Sequence, residues 1–142
     1  ASWLSPGWGG YGGIAVSALS RFAACATLSA ARLRWLSLEA VAAHVAALRG
    51  RTPAGTAQQV DRLCESVAVF DRLRPLAFTS RDKCLYDSLA LVTFLACERL
   101  HARWVIGVRT NPFRAHAWVQ AGDTVLNDLH ENVRAFRPIL VV

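Results

Sequence analysis

The distribution of apolar residues predicts an α+β fold, a helical N-terminal half followed by a small antiparallel sheet. Apolar positions recur at helical spacing from about residue 14 to 74. A further helical stretch covers about Cys84 to Leu100, and beyond it the period shortens to that of strands. Helices first and strands afterwards, joined by short loops, imply an antiparallel sheet rather than alternating β-α units.

The elements follow in order. Residues 1–13, "ASWLSPGWGGYGG", are rich in Gly and carry a Pro, and read as a flexible entry segment. Residues 14–142 read as a single domain, large enough to bury a core. The chain opens on Ala and has no Met, which raises the expectation of a domain cut from a longer protein. Ser37 is a plausible N-cap for a helix with Leu38, Val41, Val45 and Leu48 inward, ending near Gly50, with His44 at the edge of the stripe. Thr52-Pro53 and Thr56 are alternative starts for the next helix. Its Val60, Leu63, Cys64, Val67 and Phe70 keep helical spacing, which assigns Cys64 to the core. Cys25, within "FAACATL", is assigned there too, and Arg74-Pro75 stops the run. In the third helix Leu85, Leu89, Val92 and Leu95 point inward, and Cys97, late in it, reads as another core cysteine. Strands are expected at 103–110 ("RWVIGVRT"), 115–120 ("AHAWVQ"), 124–128 ("TVLND") and 136–142 ("FRPILVV").

Composition excludes several functions. Net charge is +6 and all but one of the 16 basic residues are Arg, yet they are scattered singly instead of forming the stripe a nucleic-acid binder needs. A weakly basic surface suits acidic peptides better. The mean hydropathy is +0.28. The most apolar stretch, Ile14–Leu33, is interrupted by Arg21 and Arg32, so no spanning helix of about 20 residues is expected. Neither a secretory signal nor a P-loop is visible. The cysteines at 25, 64, 84 and 97 contain no C-x-x-C. Cys84 and Cys97, on one helix, would lie roughly 20 Å apart, too far to bridge. Reduced cysteines in a cytoplasmic protein are the simplest account. Without C-x-x-C or H-E-x-x-H spacing no metal site is expected, although Cys84, His116 and Asp128 are conceivable zinc ligands.

Cys84 differs from the other cysteines in its place. It follows "FTSRDK", with cap residues Thr79, Ser80 and Asp82, and opens the third helix, where unpaired N–H groups and the helix dipole favour thiolate. Arg81 and Lys83 add positive charge, and the same N–H groups can hold an oxyanion. His116 is the misfit of an apolar strand. Alternation sets it on one face with Trp118 and Gln120, opposite Ala115, Ala117 and Val119. What it faces depends on the next turn. A three-residue loop 121–123 puts Asp128 directly opposite His116, and a loop 122–124 puts it on the diagonal. A two-residue Gly122-Asp123 turn sends it to the other face. The turn residues do not choose between these; a His116–Asp128 pair is the register adopted here. Cys84 would then be nucleophile, His116 base and Asp128 orienter. Trp118 would wall off water or flank the substrate. Arg109 and Arg114 would meet an acidic substrate segment or remain solvated. Asp123 reads as a solvated turn residue, His101 as a helix C-terminal residue, and His130 with Glu131 as a surface pair or reserve partner.

"CLYDSLALVTFL", "WVIGVRTNPFRAHAWVQ", "VLND" and "FRPILVV" together resemble the leader peptidase of lasso peptide biosynthesis, over about residues 60–142. The resemblance implies a papain-like, transglutaminase-like cysteine protease domain, with the family's Cys, His and Asp falling at Cys84, His116 and Asp128. It implies hydrolysis of the leader–core bond of a ribosomal precursor peptide. It also implies a leader-recognition domain or protein, absent from this chain, and an asparagine-synthetase-like cyclase partner that uses ATP, with no cofactor bound by this chain. Two rivals use the same residues: an acyltransferase or transglutaminase that hands the acyl group to an amine, and a non-catalytic module that binds leader or cyclase with Cys84 merely packed.

Overall fold

The computed structural model describes residues 16–50, 57–77 and 83–142. The expected entry segment 1–13 and the helix starts at Thr52-Pro53 and Thr56 lie outside the described residues. The elements are α1 (Val16–Trp35), α2 (Leu38–Gly50), α3 (Ala57–Leu73) with a 3-10 turn at Arg74–Leu76, α4 (Cys84–Cys97), β1 (Arg103–Arg109), β2 (Arg114–Ala121), β3 (Thr124–Val125), α5 (His130–Val133) and β4 (Arg137–Val141). The α+β class and the antiparallel sheet are as expected. The sheet order is β3-β2-β1-β4.

The helix α4 is the centre of the molecule. Every residue from Ser88 to Leu95 is buried, so the helix is enclosed on all sides rather than amphipathic. Helices α1, α2 and α3 pack on it from one side, and the sheet closes the other. Alternation along the strands sorts the sheet into two faces. Trp104, Ile106, Ala117 and Val119 join the helices in the main core. Val105 and Trp118 face away from it, packing with Val133, Val125 and Phe136 in a second cluster.

Caps and rotation account for the remaining details. Ser37 does cap α2, its Oγ accepting the Ala40 N–H at 3.2 Å. Val41 and Val45 are buried as expected, while Leu38 is exposed. In α3 the inward line is Leu63, Ser66, Phe70 and Leu73, which corrects the placement of Cys64: that thiol is exposed, as is Val60. Ser66 is tolerated on the inward line because its hydroxyl donates to the Glu98 carboxylate. Cys97 is also exposed rather than in the core. Cys25 is buried, and burial with Cys97 beside it pushes its thiol up to about 12. Among the described residues no helix is long and apolar enough to cross a membrane.

Candidate active site

The start of α4 is pinned by consecutive residues. Tyr86 donates to the Ala26 carbonyl of α1 at 2.8 Å. Asp87 takes a two-point contact from Arg74, with Nε at 3.2 Å and a second nitrogen at 2.8 Å. Ser88 Oγ accepts the indole N–H of the fully buried Trp104 at 2.8 Å, locking helix to sheet. These contacts fix Cys84, the first residue of α4. Its N-cap is Lys83, which makes no side-chain cap, so the first-turn N–H groups are left to other partners. The expected cap residues Thr79, Ser80 and Asp82, and Arg81 beside them, lie outside the described residues.

His116 stands on β2 directly across from Gly107 of β1. The hairpin beyond it corrects the expected register. Gln120 pairs with Val125 and Ala121 with Thr124 around a two-residue Gly122-Asp123 turn, with Gly122 at a φ of 56°. Continued, that register would set Asp128 against Ala117, on the wrong face. The ladder stops instead: β3 is only Thr124–Val125, not 124–128. Leu126 N–H still donates to the Val119 carbonyl at 2.9 Å, but the Val119 N–H goes to Asn127 Oδ1 at 2.8 Å. The Asn127 side chain thus takes the place of the Leu126 carbonyl, and the chain bends through 126–128. The bend returns Asp128 to the histidine, with Oδ2 at 2.6 Å from His116 Nε2.

With Nε2 turned to Asp128, Nδ1 is the ring nitrogen left for Cys84, whose thiol hydrogen-bonds to His116. That bond is the main cause holding the Cys84 thiol below its ordinary value of 9.0; burial opposes it, and the N–H groups of Ala117 and Leu85 assist. His116 is raised above 6.5, first by Cys84 and then, against burial, by Asp128. Burial would raise the Asp128 carboxyl, but hydrogen bonds from Asn132, Leu129 and His116 hold it below 3.8. The directions agree: each shift favours the charged form of its group, with His116 as the partner of both Cys84 and Asp128.

A cleft of about 690 Å³ opens over this row, lined by Cys84, His116, Ala117, Asn127, Asp128 and Asn132, with Asp71, Arg74, Lys83 and Asp87 on its charged wall. Trp118, Arg109 and Arg114 are not among the residues that line this cleft. Trp118 is 2% exposed and stacks behind the imidazole with centroids 6.0 Å apart, its N–H held by Gln120 at 3.1 Å, so it backs the histidine. Arg109 and Arg114 pair at the far end of the β1–β2 ladder and do not line the cleft; Arg109 lies over Phe136 at 5.4 Å. Among the described residues no cluster of three or more His, Cys, Asp or Glu is placed to hold a metal ion.

Nothing in the periodicity marks Asn127, Asn132 or Arg74 as site residues. Arg74 was visible only as half of a helix stop, although a basic residue before that stop and Asp87 one turn into the next helix are a spacing that a fold can close. Asp87 sits in the cleft wall with its carboxyl raised by burial, a shift that Arg74 opposes and Asp71 adds to. Arg74→Met should therefore cost about 1–2 kcal/mol at neutral pH, between an exposed and a buried pair. A carboxyl raised by folding penalises the folded state only above its unfolded value. The loss should accordingly shrink towards about pH 4. Thermal unfolding of both proteins at the two pH values checks this, and an equal loss at both would assign Arg74 a packing role only.

The family model for the transglutaminase-like superfamily matches residues 23–141. The microcin J25-processing protein McjB of Escherichia coli is 46% identical over 48 residues, which are 34% of this chain and 23% of that protein. The match thus spans about a quarter of the length of that curated relative. No solved structure matches. A family match over most of the chain, on a helix-borne cysteine facing a strand-borne histidine, leads to one assignment: the chain belongs to the transglutaminase-like superfamily.

Proposed function

We propose that this chain is a cysteine protease domain that hydrolyses the leader–core peptide bond of a ribosomal lasso peptide precursor. The observation that carries the reading is the Cys84–His116–Asp128 row at the uncapped start of α4, inside an open cleft. Similarity to a protein named for processing microcin J25 supplies the substrate class.

In this mechanism the Cys84 thiolate attacks the scissile carbonyl carbon, and first-turn N–H groups of α4 hold the oxyanion. His116 gives its proton to the leaving amine, which departs as the core peptide. Water then attacks the thioester, His116 takes a proton from it, and the leader leaves as a free acid. Asp128 keeps the imidazole oriented through both steps. The precursor is delivered by a leader-recognition domain or protein, and the freed amine passes to an ATP-dependent cyclase; both are partners in the proposal.

The test is incubation with a leader-recognition domain and a precursor, with products weighed by mass spectrometry. A leader ending in free acid supports hydrolysis. A leader amide formed with an added amine, in preference to the acid, replaces hydrolysis by acyl transfer. No covalent turnover, with the cyclase also present, would leave a binding module.

A further inference from the structure

We propose that Asn132 is a positioning residue that ties Asp128 to the same packed unit that holds His116; this rests on the protease reading of the site. Asp128 lies in the bend after β3, where no ladder holds the backbone. Its two oxygens are divided between tasks. Oδ2 meets His116 Nε2 at 2.6 Å, while Oδ1 accepts the Leu129 N–H at 2.7 Å and the Asn132 amide Nδ2 at 2.9 Å.

The two donors to Oδ1 differ in what they fix. Leu129 is the next residue along and moves with Asp128. Asn132 belongs to α5, and its neighbour Val133 is 5% exposed, packed in the cluster with Trp118 and Phe136. Those two rings are the ones that back the imidazole, at centroid distances of 6.0 and 5.3 Å. Histidine and carboxylate are therefore referred to one rigid group, the histidine by ring contact and the carboxylate by the Asn132 amide. An amide suits the task because it stabilises the anion without a positive charge that would compete with the imidazolium. Asn132 is itself exposed, so it contributes little to the core and replacing it should leave the fold intact.

The experiment compares wild type with Asn132→Leu, Asn132→Ala and Asn132→Gln. The first reading is the pH dependence of Cys84 alkylation by iodoacetamide, followed at that residue by peptide mass, because Cys64 and Cys97 are exposed too. Asp71, Arg74, Lys83 and Asp87 also line the cleft but are unchanged, so a displaced profile belongs to Asn132. In Asn132→Leu and Asn132→Ala the imidazolium loses its aligned partner, and the acid edge of alkylation is expected at higher pH. Precursor cleavage should fall about tenfold in kcat with KM unchanged. Asn132→Gln keeps a donor and should fall between. A wild-type alkylation profile in Asn132→Leu and Asn132→Ala overturns the proposal even where turnover drops, since a merely structural role would not move the profile. A displacement as large in Asn132→Gln as in Asn132→Leu overturns the donor role. If wild type itself cleaves no precursor, the protease reading fails, and the alkylation profile still decides the role of Asn132.

Discussion

Cys84→Ala and His116→Ala are each expected to lower kcat for precursor cleavage about a thousandfold or more, and the double variant no further. In the proposed mechanism Cys84 supplies the atom that carries the acyl group, and no other described sulfur replaces it. Cys25 is buried with its thiol pushed up to about 12, and Cys64 and Cys97 are exposed elsewhere on the helices. In that mechanism His116 is needed twice, first as the partner that favours the ionised thiol and then as proton donor to the leaving amine. The two therefore act as one unit, and their losses should not add. Wild-type activity should follow a bell in pH. The acid limb is protonation of a thiolate whose thiol is held below 9.0, and the alkaline limb is loss of the imidazolium proton, held above 6.5. Both limbs are properties of the pair rather than of either residue. Kinetics across pH, with single and double variants, checks all of this. Cleavage that survives Cys84→Ala would end the mechanism.

The sequence made some of this legible and hid the rest for physical reasons. His116 stood out because a titratable ring on an apolar strand breaks a period that backbone geometry imposes. Cys84 stood out because a helix start has local electrostatics, whatever packs on it later. Strand register is what points to Asp128, yet the observed register around Gly122-Asp123 differs from the one that pairs it with His116. The structure joins the pair by a different route, in which the Asn127 side chain substitutes for a backbone carbonyl and ends the ladder. Such a substitution has no periodicity, so no count along the chain reveals it. Cys64 and Cys97 were misplaced for a related reason. Helical spacing fixes which residues share a face, but only packing against α4 decides how far each helix is rotated. Periodicity along α4 predicts one inward stripe, whereas a central helix buries its whole circumference. Arg74 and Asn132 matter only through partners that folding brings to them, 13 residues away for Asp87 and, for Asn132, across a bend.

Gly107→Val is expected to destabilise the protein by about 2–3 kcal/mol and to impair cleavage, although residue 107 does not line the cleft. Gly107 lies opposite His116, and a Cβ there would stand 2.8 and 2.9 Å from two carbons of the Trp118 ring and 3.0 Å from Phe136 Cβ. The ring cannot simply swing aside. Trp118 is 2% exposed, its N–H is held by Gln120, and Val105, Val133 and Phe136 enclose it. A side chain at 107 must therefore push the indole, and the indole stacks on the His116 imidazole. Thermal unfolding should show a loss of several degrees for a domain of this size, and the His116–Asp128 contact should loosen with it. Trp118→Phe separates this from a general defect of β1. Alone it leaves a gap behind His116; combined with Gly107→Val it gives the new side chain room, so the double variant should be more stable than the sum of the two losses predicts. Strict additivity would mean that the indole is not what keeps residue 107 bare. The imidazole would then owe its position to its own strand and to Asp128, without support from behind.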